Sequence, residues 1–158
     1  MRILFVCLGN ICRSPLAHGV FEHVADEMGL KVVVDSAGTG GWHVGNPPDP
    51  RSVHVAADHG IDVTGQRARR FVVEDFSRFD LILGMDESNV ATIGAMAADE
   101  TAATVGLFMR HVLGRTDNVP DPYYGGDDGF EACYRMIRAG AEALGTRLAS
   151  GIDKPPRS

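Results

Sequence analysis

The sequence predicts a single-domain α/β fold, a four-stranded parallel sheet with helices on both faces and an anion-binding loop directly after the first strand. Three observations carry this expectation. Short apolar runs alternate with amphipathic stretches of helical period, the pattern of parallel strands joined by crossover helices. The chain has 158 residues, 44% of them hydrophobic and 23% charged, enough for one core without disulfides or a structural metal. No internal repeat, low-complexity tract or shift in composition marks a second domain, so residues 1–150 read as the domain and 151–158, with Lys154-Pro155-Pro156-Arg157, as a loose tail.

The elements follow in order. Ile3-Leu4-Phe5-Val6 reads as a strand buried on both faces. Leu16, Ala17, Val20, Phe21, Val24, Ala25 and Met28 recur at helical spacing and predict a helix over 15–28 with Gly29 as its C-cap. The β-branched stretch 31–35 predicts the second strand. From 36 to 49 the chain is rich in glycine and proline and has no period, which predicts a long functional loop. Asp49 or Pro50 opens a helix that reaches His59 and stops at Gly60. The run 79–85 predicts a third strand, 86–96 a helix, 104–109 a fourth strand, and 127–149 a last helix. That helix carries Phe130, Cys133, Tyr134, Ile137, Ala141, Leu144 and Leu148 on one face, so Cys133 reads as core.

Charge and cysteine usage narrow the function classes. A net charge of −6 argues against nucleic acid as a partner and requires any attraction for an anion to be local. Three cysteines, two of them in one loop, do not make a secreted disulfide framework. The apolar runs are too short for a signal peptide or a membrane span, so the expected location is the cytoplasm, although export without a signal would leave no mark. The histidines at 18, 23, 43, 54, 59 and 111 show no ligand spacing, and no zinc site is expected. Arg67, Arg69 and Arg70 read as a solvated basic surface.

The most specific feature is Cys7-Leu8-Gly9-Asn10-Ile11-Cys12-Arg13-Ser14-Pro15, at the carboxyl end of the first strand. Ligands of such sheets bind there. A glycine-containing loop that runs into a helix start presents unsatisfied N–H groups, a ready anion site. Backbone N–H groups from Leu8 to Ser14 can wrap a phosphate dianion. Gly9 and Asn10 tolerate the conformations this needs. Arg13 offers a planar fork to two phosphoryl oxygens, a geometry lysine cannot copy. Cys7 sits where this field favours a thiolate, to which Ser14 can donate. Pro15 suits the first helical position.

A thiolate needs a partner that protonates the leaving oxygen. Asp121-Pro122-Tyr123-Tyr124-Gly125-Gly126 offers one: Pro122 keeps Asp121 extended, and Tyr123 and Tyr124 can shield the carboxyl and wall a cleft for an aromatic group. A carboxyl so placed can give a proton to the leaving group and later take one from water. Trp42, the only tryptophan, lies in a glycine-flanked loop and reads as a further cleft wall. Asp86 follows a strand end and reads as a helix cap, with a supporting role near the site left open.

These segments, with Ser36-Ala37-Gly38-Thr39, Pro48-Asp49-Pro50-Arg51 and Met85-Asp86-Glu87-Ser88-Asn89, resemble the low-molecular-weight protein tyrosine phosphatase family over nearly the whole chain. The resemblance implies a phosphocysteine mechanism without cofactor. Cys7 would be its nucleophile, Arg13 its phosphate clamp and Asp121 its general acid. It further implies a hydrogen-bond network of Asn10, Ser14 and Ser36 that shapes the loop, and a cleft lined by Leu8, Ile11, Trp42, Tyr123 and Tyr124. The implied substrate is a phosphotyrosine protein or peptide or a small aryl phosphate, and a tyrosine kinase as a partner would be consistent with a regulatory role. In this family Cys12 can protect the nucleophile as a reversible disulfide; the residues alone describe a small buried filler equally well.

The same residues bear on related chemistries. Relay arsenate reductases need further cysteines that the chain lacks between 75 and 94. Arginine phosphatases carry a threonine where this chain has Ile11 and have a less aromatic acid loop. A pure phosphotyrosine-binding module needs neither thiolate nor proton donor, and a phosphocysteine carrier would be discharged by Asp121.

Overall fold

The computed structural model describes residues 1–97, 101–123 and 125–151. The elements are β1 (Arg2–Cys7), α1 (Arg13–Glu27), β2 (Val33–Gly38), α2 (Pro50–Asp58), α3 (Asp75–Arg78), β3 (Leu81–Gly84), α4 (Glu87–Met96), β4 (Thr104–Leu107), α5 (Phe108–Leu113) and α6 (Asp127–Ala149). The four strands are all parallel, in the order β2-β1-β3-β4. The chain first steps from β1 to β2 on one side, then returns to place β3 on the other. The reversal leaves a crevice beyond the carboxyl ends of β1 and β3, where ligands of open parallel sheets bind.

Period two explains why β1 is apolar from Ile3 to Cys7. Ile3, Phe5 and Cys7 face a core shared with α1, α2, α5 and α6, while Leu4 and Val6 face a second core with Phe71, Phe76, Phe79 and Ile93. Phe5 anchors the first core, edge-on to Phe21 at 5.9 Å and to Phe108 at 5.8 Å between centroids. Helix α6 lays Phe130, Cys133, Tyr134, Ile137, Ala141 and Leu144 into that core, the face its spacing predicts. Burial pushes the Cys133 thiol up to about 12, consistent with packing rather than chemistry.

Several expectations need correction. β2 continues through Ser36, Ala37 and Gly38, three residues taken for loop, because Cys7 pairs with Gly38 in register. A Cβ at Gly38 would stand 2.9 Å from the Leu8 carbonyl oxygen, so only glycine permits this approach. β4 ends at Leu107, and Phe108 and Met109 open α5 rather than prolong the strand. The first helix starts at Arg13, which makes Pro15 its third residue; its missing N–H still falls in the unbonded first turn. Gly29 follows the Met28 cap at φ 67°, and Leu30 N–H bonds back to the Ala25 carbonyl at 2.8 Å, a left-handed ending that glycine allows. The predicted tail lies outside the described residues beyond Gly151.

His111 on α5 is 6% exposed, and burial, with Arg147 nearby, lowers it from 6.5 to about 4. The folded state therefore holds a neutral imidazole while the unfolded chain protonates below 6.5. Stability from this group is complete above that pH and is lost as pH falls toward 4, a change of about 3 kcal/mol. Urea unfolding of the wild type and His111→Gln at pH 7 and pH 4.5 should show the variant losing less stability on acidification by roughly this amount. Equal losses would overturn the assignment.

Candidate active site

The loop after β1 is shaped by bonds that turn its carbonyls outward. Cys7 O accepts from Thr39 N–H and Leu8 O from Gly40 N–H, both at 2.9 Å; Ile11 O accepts from Asp49 N–H at 2.8 Å, and Cys12 O from Ser52 Oγ at 3.2 Å. With carbonyls directed away, the N–H side of the loop is left for an anion. Asn10 sits at φ 57°, the one left-handed non-glycine residue among those described.

Asn10 also ties the loop together. Its Nδ2 donates to Ser14 Oγ at 2.7 Å and to Ser36 Oγ at 3.0 Å, and its Oδ1 accepts from Arg69 N–H at 3.0 Å. Ser14 Oγ lies 3.0 Å from Cys7 Sγ and 3.4 Å from the Ala37 carbonyl oxygen. Since Asn10 occupies the hydroxyl oxygen as an acceptor, the single Ser14 proton is available to the sulfur, the nearer of its two possible acceptors. The network predicted for Asn10, Ser14 and Ser36 is thus present.

Arg13, 2% exposed, is the first residue of α1. Its Nη1 donates to Asp86 Oδ2 at 2.6 Å and to the Val119 carbonyl at 3.0 Å, while Nη2 stands 3.7 Å from Asp121 Oδ2. Burial works against its charge, but the Cys7 sulfur, the Asp86 hydrogen bond and charge, and Asp121 together outweigh it and strengthen the charged form. The anchored Nη1 fixes the plane of the fork and leaves the Nη2 side toward the cleft. Asp86 serves two ends at once: Oδ1 caps α4 through Asn89 N–H at 2.8 Å, and Oδ2 holds Arg13.

Asp121 faces the loop from the opposite wall. Tyr123 N–H donates to its Oδ1 at 3.0 Å, an Asx turn that leaves Oδ2 directed at Arg13. Arg51 secures the same segment. Its Nη2 donates to the Tyr123 carbonyl at 2.9 Å and its Nη1 to the Gly125 carbonyl at 3.2 Å, and its guanidinium lies 5.5 Å from the Tyr123 ring centroid and 4.6 Å from that of Phe130. Asp49 holds Arg51 in turn, accepting at 3.0 Å from both Nε and Nη2. Burial raises the Asp49 carboxyl, but its bonds from Arg51 prevail and keep it below the usual range.

The two walls enclose a cleft of about 300 Å³ lined by Cys7, Leu8, Gly9, Ile11, Cys12, Arg13, Trp42, His43, Asp121 and Tyr123. Cys7 lies at its floor and Trp42, 73% exposed, at its rim. Tyr124 falls outside the described residues. Burial, aided by Asp49, pushes the Cys12 thiol well above its ordinary range. Sequence reasoning missed His43, whose ring lies 6.4 Å from that of Tyr123, although its place beside Trp42 was a usable signal. It also left Arg51 without a role, and it misjudged Arg69, which donates to Asp35 and Asp75 and is structural rather than merely solvated.

A buried Cys-x5-Arg loop at the switch point of a parallel sheet, with a carboxylate across the cleft, defines the class of cysteine-dependent phosphoryl-transfer sites. Comparison with known proteins narrows the class. The sequence profile of the low molecular weight phosphotyrosine protein phosphatases matches residues 2–153. A low molecular weight protein-tyrosine-phosphatase of Streptomyces coelicolor is 46% identical over 90% of this chain and 90% of its own length. The crystal structure of a protein tyrosine phosphatase from Entamoeba histolytica superposes with a TM-score of 0.90 at 36% identity, over 96% of this chain and 98% of that one. A Drosophila arginine phosphatase superposes at 0.88 with 33% identity, over 94% and 98%. The chain belongs to the low molecular weight phosphotyrosine protein phosphatase family.

Proposed function

We propose that this protein hydrolyses phosphotyrosine in proteins or peptides, and small aryl phosphates, through a phosphocysteine formed at Cys7. The observation that carries this reading is the convergence of the Cys7 sulfur, the buried Arg13 fork and the Asp121 carboxyl on one cleft. In the first step the Cys7 thiolate attacks phosphorus in line. The phosphorus–phenol oxygen bond breaks, and Asp121 gives its proton to the departing oxygen. In the second, Asp121 takes a proton from water as the water oxygen attacks phosphorus. The sulfur–phosphorus bond then breaks, restoring the thiolate and releasing inorganic phosphate. Arg13 and the loop amides hold the equatorial oxygens through both steps. Leu8, Ile11, Trp42 and Tyr123 supply apolar walls suited to a flat ring, and Tyr124 is assigned to the same wall by resemblance. The chain needs no cofactor for these steps.

The substrates are phosphoproteins, and the reading extends to those made by a tyrosine kinase, in the cytoplasm and without nucleic acid or membrane as partner. Among the described residues no helix is long and apolar enough to cross a membrane. Phosphate release from matched phosphotyrosine, phosphoserine and phosphoarginine peptides, without metal, tests the reading. Turnover confined to phosphotyrosine supports it, and preference for phosphoarginine would keep the mechanism but overturn the substrate.

Arg51 enters this mechanism as a positioning residue for the acid loop. Arg51→Met should lower kcat on phenyl phosphate on the order of 10-fold, since small displacements of a reacting group are costly. It should leave 2,4-dinitrophenyl phosphate, whose leaving group needs no proton, nearly unaffected in the first step. Equal losses on both substrates would show a general structural defect instead.

A further inference from the structure

Beyond the catalytic cleft the site continues into a second one of about 540 Å³, lined by Leu8, Thr39, Gly40, Gly41, Trp42, Arg70 and Thr92. Leu8 and Trp42 line both clefts and form the wall between them. The Trp42 ring rests on Gly40, where a Cβ would stand 1.9 Å from ring carbon Cζ3. The side chain of Arg70 passes beside Gly41, its Cδ 3.5 Å and its Nη1 3.9 Å from the position a Cβ would take there.

Arg70 is an exposed cation whose side chain makes no ion pair or hydrogen bond among the described residues. The reason lies in its neighbour. Residues 69–71 run extended, with Gly38 N–H bonding to the Arg69 carbonyl and Phe71 N–H to that of Gly38, so adjacent side chains point to opposite sides. Arg69 takes Asp35 and Asp75 on its side, and Arg70 is left facing the groove with no acid of its own among the described residues. In a chain of net charge −6, this is a local positive potential at the mouth of the site.

We propose that this second cleft is a subsite for a carboxylate side chain of the substrate peptide, bound by Arg70. The inference rests on the phosphotyrosine reading and adds a preference for acidic sequence context. The spacing suits it. Cys7 pairs with Gly38, and Gly38 pairs with Arg70, so two strand spacings, about 10 Å, separate the backbones of Cys7 and Arg70. An extended peptide covers that distance in about three residues, which places the acid two or three positions from the phosphotyrosine.

The test uses phosphotyrosine peptides of one length with Ala, Glu or Lys at the three positions before or after the phosphotyrosine. kcat/KM is measured for the wild type, Arg70→Ala and Arg70→Glu at low salt and at high salt, with p-nitrophenyl phosphate as reference. The wild type should favour Glu over Ala on one side by about two- to five-fold, the scale of an exposed ion pair, and high salt should erase the preference. Arg70→Ala should lose it and Arg70→Glu should favour the Lys peptide, while all three turn over p-nitrophenyl phosphate alike. A wild type indifferent to Glu, or a preference that survives Arg70→Ala, overturns the subsite and leaves the phosphatase reading standing. Failure of the wild type on p-nitrophenyl phosphate and on every peptide would overturn that reading, and the subsite with it.

Discussion

Cys7→Ser should abolish turnover, with a loss on the order of 10⁴-fold or more in kcat, while the protein keeps its affinity for inorganic phosphate. The substitution exchanges a readily ionised sulfur for an alcohol that the same loop field does not ionise. The nearest partner, Ser14 Oγ at 3.0 Å, is itself a donor to the nucleophile, and Asp121 stands on the leaving-group side beside Arg13. The binding elements are untouched, because Arg13 is held by Asp86 and Val119 and the loop carbonyls by residues 39, 40, 49 and 52. Phosphate titration by calorimetry separates the two effects. Turnover within tenfold of the wild type would assign the chemistry to another residue.

The fold was legible wherever a single segment carries its own pattern. β1, α1 and α6 were read from apolar spacing, α2 and α4 from starts at Asp49-Pro50 and Asp86, and ends from stop signals such as Gly29 and Gly60, both at positive φ. The misreadings have two causes, a deciding partner far away in sequence and an apolar run too short to resolve. Ser36-Ala37-Gly38 has the composition of a loop and becomes strand through pairing with β1 and with Arg70, a tertiary gain that overrides weak propensity. Residues 104–109 form an apolar run too short to distinguish a strand end from a helix start, and the chain passes from β4 to α5 without a loop.

The same division holds for the site. Cys7, Arg13 and their loop were legible because their chemistry is contiguous in sequence, and Asp121 because Pro122 and the tyrosines give it context. Of the residues that hold these groups in place, Asn10, Ser14 and Ser36 were legible only through the family resemblance, and the contacts of Asp86 and Arg51 were not legible. Asp86 caps α4, which is visible in Asp86-Glu87-Ser88-Asn89, but its second carboxylate oxygen reaches Arg13 across 73 positions. Arg51 reaches the Tyr123 and Gly125 carbonyls across 72 and 74 positions. Only the fold, which brings the ends of β1 and β3 and the start of α6 together, makes such contacts visible.

Asp121→Asn is expected to show how the two chemical steps share one side chain. On phenyl phosphate, whose leaving oxygen needs a proton, kcat should fall about 10²- to 10⁴-fold, the range for loss of a general acid. On 2,4-dinitrophenyl phosphate the first step should be spared, because the phenolate leaves unprotonated. The second step still lacks its base, so phosphocysteine should accumulate. Rapid mixing should then show a burst of about one phenolate per active site followed by slow turnover. The geometry supports this separation. The Asx turn to Tyr123 and the Arg51 tether fix the backbone of the acid loop independently of the second oxygen, and Asn preserves the turn through its own carbonyl. A variant with equal losses on both substrates and no burst would mean that Asp121 only orients Arg13, and the proton donor would have to be sought elsewhere in the cleft.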